Sequence, residues 1–208
     1  MRKIHSSNPE RLLIASGNKG KIREFENLLA ELPLELIDLE RFPSALEPEE
    51  NGATFAENAI IKAKAYASQT GEWAIADDSG LEIDALNGTP GVLSARFGGV
   101  ETGYSDKMTM VLERMQNVDE KDRGARFVSV IAFAGPDAEI EFTVEGECRG
   151  IIALAPRGTN GFGYDPIFIP EKFDRTFGEL TDLEKRSISH RGKASAEFIR
   201  KMLDFMGV

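Results

Sequence analysis

Apolar and polar residues alternate along the chain in two patterns, short apolar runs typical of strands and longer stretches of helical spacing. The first run, at residues 11–15, stops at a Ser-Gly-Asn turn and leads into helical spacing. Thr54 and Glu57 form a capping-box pattern, and Gly71 closes the helix that follows. Strands are predicted at 11–15, 34–39, 73–76, 81–86, 126–134 and 139–148, and helices at 19–31, 54–70, 106–116 and 190–205.

The order of these elements predicts an α/β fold. A strand-turn-helix opening is typical of parallel pairing, whereas the turn at Gly135-Pro136-Asp137 predicts an antiparallel hairpin. We therefore expect a mixed sheet with flanking helices. The chain has 208 residues, which suits one domain over 1–208, with residues 1–9 as a loose leader.

Composition and charge narrow the class of protein. The longest strongly apolar stretch, 127–134, is far shorter than the roughly 20 residues of a membrane helix. A formal charge of −10 disfavours binding to nucleic-acid polymers. The lone Cys148 excludes an intramolecular disulfide and favours a reducing, cytoplasmic compartment. Two histidines and one cysteine cannot make a zinc cage, so any metal is a hard ion held by carboxylates, and Mg²⁺ is the natural candidate.

The first candidate site follows the first strand and combines glycines, a helix start and two lysines. Glycines let the backbone approach an anion, the helix start offers N–H groups, and lysines supply charge, so the segment suits a phosphate chain. It is not a Walker loop, because Ala15 and Ile22 stand where that pattern needs Gly and Ser or Thr. In isolation, such a segment is more often a solvated turn. The candidate residues are Ser16, Gly17, Asn18, Lys19, Gly20 and Lys21.

The second candidate site is the carboxylate pair Asp77 and Asp78 at the end of an apolar run. Adjacent strand residues point to opposite faces, so we expect only one of them to face a site. Two carboxylates against a buried run need a cation, hydrogen-bond donors or solvent. Glu49 and Glu50, in an acidic loop, could complete a metal site, although such loops are usually solvated surface.

Two further segments carry side chains suited to a nucleotide. Phe162 stands between two glycines on a constrained loop, which suits stacking on a flat base, although loops of this kind are common. Residues 189–193, with Lys185 before them, gather donors at a helix start that could read carbonyl oxygens or phosphates, or form a basic surface turn. His190 could be a general base, but no Ser or Cys nucleophile stands beside it.

Taken together and in order, these segments closely resemble the inosine triphosphate pyrophosphatase family, also called non-canonical purine NTP pyrophosphatases or XTP/dITP diphosphatases. The resemblance spans nearly the whole chain. Two departures are small: Ser16 stands where the family often has Thr, and the segment before Arg11 is longer than usual. The matching signatures are Ser16-Gly17-Asn18 with Lys21, Phe55-Ala56-Glu57-Asn58-Ala59 with Lys62, Ala76-Asp77-Asp78-Ser79-Gly80-Leu81, Pro90-Gly91 with Ser94-Ala95-Arg96, Gly161-Phe162-Gly163-Tyr164-Asp165-Pro166 and Ser189-His190-Arg191-Gly192.

The resemblance implies two lobes around a central cleft, a homodimer, and hydrolysis of ITP, dITP or XTP to the monophosphate and pyrophosphate. It implies that Asp78 is the base and a metal ligand and that Glu49 helps to hold Mg²⁺. We add Lys62 as a catalytic residue that neutralises phosphate charge. Residues 16–21 match the triphosphate cradle, and the other substrate contacts match Ser79, Phe162, Gly163, Tyr164, Asp165, Lys185, His190 and Arg191.

The chemistry that follows is attack of water on the α-phosphorus, with pyrophosphate leaving. Donors aimed at the 6-oxygen of the base would reject adenine, and His190 is one candidate, but the sequence does not explain how guanine is rejected. Two alternatives stay open, a general nucleotide pyrophosphatase and a purine-nucleotide sensor without turnover. Also open are the preference among ITP, dITP and XTP, the dimer interface, Glu49 versus Glu50 as metal ligand, the role of Asp77, and regulation.

Overall fold

A six-stranded mixed sheet forms the centre of the molecule. The computed structural model describes residues 8–208, and its strand order is β2-β1-β3-β4-β5-β6. The first three strands in the chain pair in parallel, and the other pairings are antiparallel, which confirms the predicted α/β fold with a mixed sheet. The strands are β1 Arg11–Ile14, β2 Glu35–Asp38, β3 Ala74–Ile83, β4 Gly124–Ala134, β5 Ile140–Ile152 and β6 Phe168–Pro170; the helices are α1 Lys19–Leu28, α2 Phe55–Thr70, α3 Tyr104–Arg114, α4 Asp182–Ile188 and α5 His190–Met206.

The helices that border the sheet begin at side chains suited to capping. Asn18 caps α1 by accepting hydrogen bonds from the backbone of Gly20 and Lys21. The predicted capping box of Thr54 and Glu57 opens α2, and Gly71 ends this helix with a φ of 71°. These local signals fix where α1 and α2 begin, and so which side chains face the sheet.

Each face of the sheet buries its own apolar cluster. On one face Ala59, Ala63 and Ala67 of α2 are fully buried against β3 and β4, and their small size lets the helix lie close to the sheet. On the other face α1 and α5 bury Phe25 and Phe198 against Ile75 and its neighbours. Because strand side chains alternate, successive residues of β3 face α2 and the α1/α5 pair in turn.

The structure differs from the predicted elements at their ends, in two short ones, and at 73–76 and 81–86, which belong to one continuous strand, β3. Residues 84–86 form a 3₁₀ turn instead of continuing the extended run, and α1 ends at Leu28. The sequence interpretation missed β6, which has only three residues, and the seven-residue α4. Thr181 and Glu184 form a second capping box before α4, so that helix had a readable signal.

Part of the predicted leader is described. Residues 1–7 lie outside the described residues. Asn8 donates a hydrogen bond to the carbonyl oxygen of Met206 at 2.8 Å, and Pro9 is buried, so the chain is attached to the end of α5 just before β1. Across residues 8–208, no helix combines the length and the apolar character that crossing a bilayer requires.

Candidate active site

A cleft of about 880 Å³ opens beside the end of β1 and the middle of β3. It brings together segments that are far apart in the sequence, because the strands that carry them are neighbours in the sheet. Nearly all of the predicted site residues line it: 16–18, Lys21, Glu49, Glu50, Lys62, Asp78, Ser79, 162–165, Lys185, His190 and Arg191.

Two predicted residues of the phosphate cradle do not line this cleft. Lys19 is exposed, and Gly20 faces the Phe162 ring, where a Cβ atom would lie 3.1 Å from the ring. The backbone N–H groups of Gly20 and Lys21 both donate to the Asn18 side chain. These two amides therefore serve the helix cap, and the predicted cradle presents residues 16–18 and the side chain of Lys21 to the cleft.

Asp77 and Asp78 point to opposite faces of β3, as the alternation of strand residues predicts. Asp78 faces α2, where it accepts hydrogen bonds from Asn58 at 3.2 Å and from Lys62 at 3.3 Å. Asp77 faces α1 and α5, where it pairs with Lys21 at 2.5 Å and accepts a hydrogen bond from Ser129 at 2.7 Å. Only Asp78 lines the cleft.

The two carboxylates differ in basicity. Burial raises the pKa of Asp78 above its usual value, against the opposing effect of Lys62 and Lys21. Burial also disfavours the ionised form of Asp77, but Lys21 and Arg191 outweigh it and hold the pKa of this carboxyl well below its usual range. Asp77 is thus a permanent anion that fixes two cations, whereas Asp78 is the more basic carboxylate at the cleft.

Lys62 lies between two carboxylates. Its ammonium is 2.6 Å from Glu50 and 3.3 Å from Asp78, and Glu50 also contacts Arg96 at 3.2 Å. Although burial opposes the charge on Lys62, Asp78 and Glu50 raise its pKa, so it stays protonated. Glu49 is exposed and lines the cleft beside Glu50.

The donors at this end of the cleft suit Mg²⁺ better than a transition metal. Within residues 8–208, no three acidic, histidine or cysteine side chains converge as a metal cage. Mg²⁺ does not need one, because it is usually held by one or two carboxylates together with water and substrate phosphates. Asp78 and Glu50, on either side of Lys62, form such a carboxylate pair and fit that ion.

The other end of the cleft is aromatic and cationic. The ring centroid of Phe162 lies 5.1 Å from the Lys185 ammonium and 5.5 Å from the Arg191 guanidinium. Glu24 accepts hydrogen bonds from both cations. Asp165 accepts one from the Phe162 backbone and another from Lys185, both at 2.8 Å. The ring and its two cations are therefore held in place by buried or half-buried carboxylates.

Three other predicted contacts help to shape this end. His190 stacks on Phe127 with ring centroids 4.7 Å apart, and its Nδ1 has no hydrogen-bond partner among the described residues. Burial, with Arg191 nearby, lowers the pKa of His190 well below 6.5, so the ring is neutral at pH 7. Ser79 accepts a hydrogen bond from Arg191 at 2.9 Å, and Tyr164 donates one to the backbone of Ser94 at 3.0 Å.

Comparison with known proteins identifies the family. The model of the Ham1 family matches residues 12–201. This chain belongs to the Ham1 family. It is 50% identical to the dITP/XTP pyrophosphatase of a Nostoc species over 92% of this chain and 93% of the relative, and 47% identical to that of a Synechococcus strain over 89% and 86%.

Solved structures agree with this assignment. A Ham1 protein of Coxiella burnetii has a TM-score of 0.85 and 42% sequence identity, with 93% of this chain and 98% of that chain covered. The Ham1 protein of Staphylococcus aureus has a TM-score of 0.81 and 39% identity, with 94% and 98% covered. The fold described above is therefore that of Ham1 proteins.

Sequence reasoning assigned no role to several residues that build this Ham1-family cleft, although Asn58 and Arg96 lie within the matching signatures. Glu24 had one signal, since it lies one helical turn after Lys21 on α1. Asn58 also had one, because it lies one turn before Lys62 and faces the same strand. The contact of Arg96 with Glu50 and the stacking of Phe127 on His190 join distant segments, and no local pattern predicts them.

Proposed function

We propose that this chain hydrolyses non-canonical purine nucleoside triphosphates, namely ITP, dITP and XTP, to the monophosphate and pyrophosphate, and so cleans the nucleotide pool. Relatives named dITP/XTP pyrophosphatase that match most of the chain support this function. The observation that carries it is a single cleft with Asp78 and two lysines at one end and Phe162 with two cations at the other. That arrangement suits a triphosphate joined to a flat base.

The triphosphate end provides charge and a base. Lys21 and Lys62 would neutralise phosphate oxygens, and residues 16–18 would border the chain. Asp78 would align a water molecule and accept its proton as the water attacks the α-phosphorus and pyrophosphate leaves. Hydrogen bonds from Asn58 and Lys62 hold the carboxylate of Asp78 at the cleft.

The proposal includes Mg²⁺, held by Asp78 and a carboxylate of the acidic loop. Glu50 contacts Lys62, which also contacts Asp78, and this shared partner favours Glu50 as the second metal ligand. Glu49, which lines the cleft beside Glu50, stays a predicted metal ligand. When bound, the ion would offset negative charge that develops on the phosphate oxygens.

The base end provides recognition of a 6-oxo purine. Phe162 would stack on the base, while Lys185, His190 and Arg191 would present donors to oxygen atoms on its edge. Adenine carries an amino group at position 6, so it would leave buried donors unpaired and lose affinity. The chemistry of the pocket therefore favours hypoxanthine and xanthine over adenine.

The proposal also places the enzyme in the cytoplasm as a homodimer that binds small nucleotides. The family resemblance supports the dimer. A single cysteine supports a reducing compartment, and burial raises the pKa of the Cys148 thiol to about 11, so it is unreactive. Sedimentation of the purified protein at micromolar concentration would test the dimer, and a monomer would contradict it.

The direct test is hydrolysis of a nucleotide panel with Mg²⁺, in which pyrophosphate and orthophosphate are measured separately. We expect pyrophosphate from ITP, dITP or XTP and almost none from ATP, GTP or dTTP. Orthophosphate as the first product would contradict the mechanism. Equal use of ATP or GTP would favour a general nucleotide pyrophosphatase, and tight binding without pyrophosphate release would favour a sensor.

A further inference from the structure

A fully buried amide, Asn58, connects two parts of the cleft. Its Oδ1 accepts a hydrogen bond from the backbone N–H of Gly52 at 2.8 Å, and its Nδ2 donates one to Asp78 at 3.2 Å. A backbone N–H can only donate, so the amide oxygen must face Gly52 and the amide nitrogen must face Asp78. The orientation of this side chain is therefore fixed by its partners.

Gly52 ends the acidic loop that carries Glu50, and this end is bound to α2. The next two backbone N–H groups, of Ala53 and Thr54, both donate to Glu57, at 2.7 and 3.1 Å. A Cβ atom at position 52 would lie 2.7 Å from the Asn58 Oδ1 atom, so only glycine allows this close approach. Glu50 therefore sits two residues from a point that Asn58 holds.

The other end of the loop has a separate attachment. Gln69, near the end of α2, accepts a hydrogen bond from the backbone of Leu46 at 2.7 Å and donates one back at 3.0 Å. The loop 46–52 is thus hydrogen-bonded to Gln69 at one end and to Asn58 at the other. Of these two side chains, only Asn58 also contacts Asp78. The two attachments form a natural pair for comparison.

We propose that Asn58 is a positioning residue that fixes the carboxylate of Asp78 relative to the acidic loop and Glu50. Lys62, one helical turn after Asn58, contacts the carboxylates of both Glu50 and Asp78. In this proposal Asn58 sets the distance between those two carboxylates. The inference rests on the proposed function, because it concerns the same cleft. The Asn58 amide would therefore set the positions of the general base, Asp78, and of a proposed metal ligand, Glu50, together.

The test begins with Asn58→Ala. We expect kcat for dITP to fall about 30-fold or more while KM changes less than about 3-fold, because a misdirected Asp78 affects the reaction more than substrate binding. In the protein without metal or nucleotide, hydrogen exchange of the Gly52 amide should become about 10-fold faster, as its acceptor is lost.

Two further variants separate positioning from general loosening. Asn58→Asp keeps an acceptor for Gly52 but places a second carboxylate against Asp78, so Gly52 exchange should stay within about 2-fold of wild type while kcat falls as in Asn58→Ala. Gln69→Leu is the matched control. It should release the Leu46 end of the loop and leave kcat within about 3-fold of wild type, because it does not contact Asp78.

A folded Asn58 variant with kcat within about 3-fold of wild type would overturn the proposal, and so would a Gln69→Leu variant as slow as Asn58→Ala. If Asn58→Ala does not fold, Asn58→Asp decides the matter through the same kcat. A wild-type protein that releases no pyrophosphate from dITP or XTP would contradict the proposed function instead. Unchanged Gly52 exchange in Asn58→Ala would then still contradict the anchoring that the proposal requires.

Discussion

Two neighbouring aspartates on the central strand have opposite environments. Asp77 is enclosed by Lys21, Ser129 and Arg191, and its pKa is held far below the usual range. Asp78 accepts longer hydrogen bonds, faces the cleft, and has a raised pKa. The difference arises because strand alternation turns one side chain towards α1 and α5 and the next towards α2.

The central strand β3 therefore serves two purposes. On the Asp77 side, the strand binds the first turns of α1 and α5 through Lys21 and Arg191, and these contacts enclose the Asp77 carboxylate. On the Asp78 side, the partners belong to α2 and leave the carboxylate accessible from the cleft. We infer that the first aspartate maintains the structure and the second takes part in the reaction.

The largest expected effect is on activity, from Asp78→Asn. Removal of a general base typically costs between about 10² and 10⁴ in rate, so kcat for dITP should fall by about 10³-fold. Stability should change little, because Lys62 keeps its contact with Glu50. Steady-state pyrophosphate release together with urea denaturation measures both quantities. A variant that loses stability but keeps kcat would reverse the assignment.

Asp77→Asn should show the opposite pattern. Removal of one partner from a buried ion pair typically costs about 3 to 5 kcal/mol, and Lys21 would lose its partner here. The unfolding free energy should drop by about that amount, while the folded fraction should retain more activity than Asp78→Asn. If urea denaturation gives equal stabilities for the two variants, the contrast between the two faces is wrong.

His190, at the start of α5, is buried beside the cations of the Asp77 side, and this burial predicts a pH effect. Burial beside Arg191 and Lys185 holds the pKa of His190 well below 6.5. As the pH falls through about 6.5, the unfolded chain takes up a proton that the folded chain refuses, so the unfolding free energy should decrease with a slope that approaches about 1.4 kcal/mol per pH unit.

His190→Gln should flatten this dependence. Urea denaturation at pH 7.5, 6.5 and 5.5 would compare the two slopes, since most carboxylates titrate below this range. Equal slopes for the wild type and the variant would mean that His190 takes up its proton as readily in the folded protein as in the unfolded chain, contrary to its buried, cation-flanked position.

The smallest expected effect is that of Lys19→Ala. Lys19 is exposed and does not line the cleft, so KM and kcat for dITP should stay within about 2-fold of wild type. Lys21→Ala is the contrasting variant. It removes a cleft lysine and the partner of Asp77, so it should lower both activity and stability. A Lys19 variant as slow as the Lys21 variant would show that Lys19 belongs to the phosphate cradle, as the sequence predicts.

Much of the fold could be predicted because its signals are local. The capping box at Thr54 and Glu57 defines the start of α2, and alternation correctly indicated that one of the two aspartates faces the cleft. The six segments of the family resemblance also meet in one region, since the strands and helix starts that carry them are neighbours. Helix caps and strand alternation depend on residues a few positions apart, so sequence reasoning can find them.

The rest could not be predicted because it depends on contacts between distant segments. Arg96 contacts Glu50, and Phe127 stacks on His190, although no local pattern joins the members of either pair. The position of Lys19 depends on how the Asn18 cap rotates the first turn of α1. From the sequence alone, each of these side chains could line the cleft or lie away from it, and only the packing of the folded chain decides between the two.

The central claim is that water attacks the α-phosphorus of a non-canonical purine triphosphate in this cleft. Hydrolysis of dITP in water enriched in oxygen-18, with mass spectrometry of both products, tests it most directly. Attack on the α-phosphorus puts one heavy oxygen in the monophosphate and none in pyrophosphate. Heavy oxygen in pyrophosphate would place the attack on the β-phosphorus and contradict the proposed mechanism.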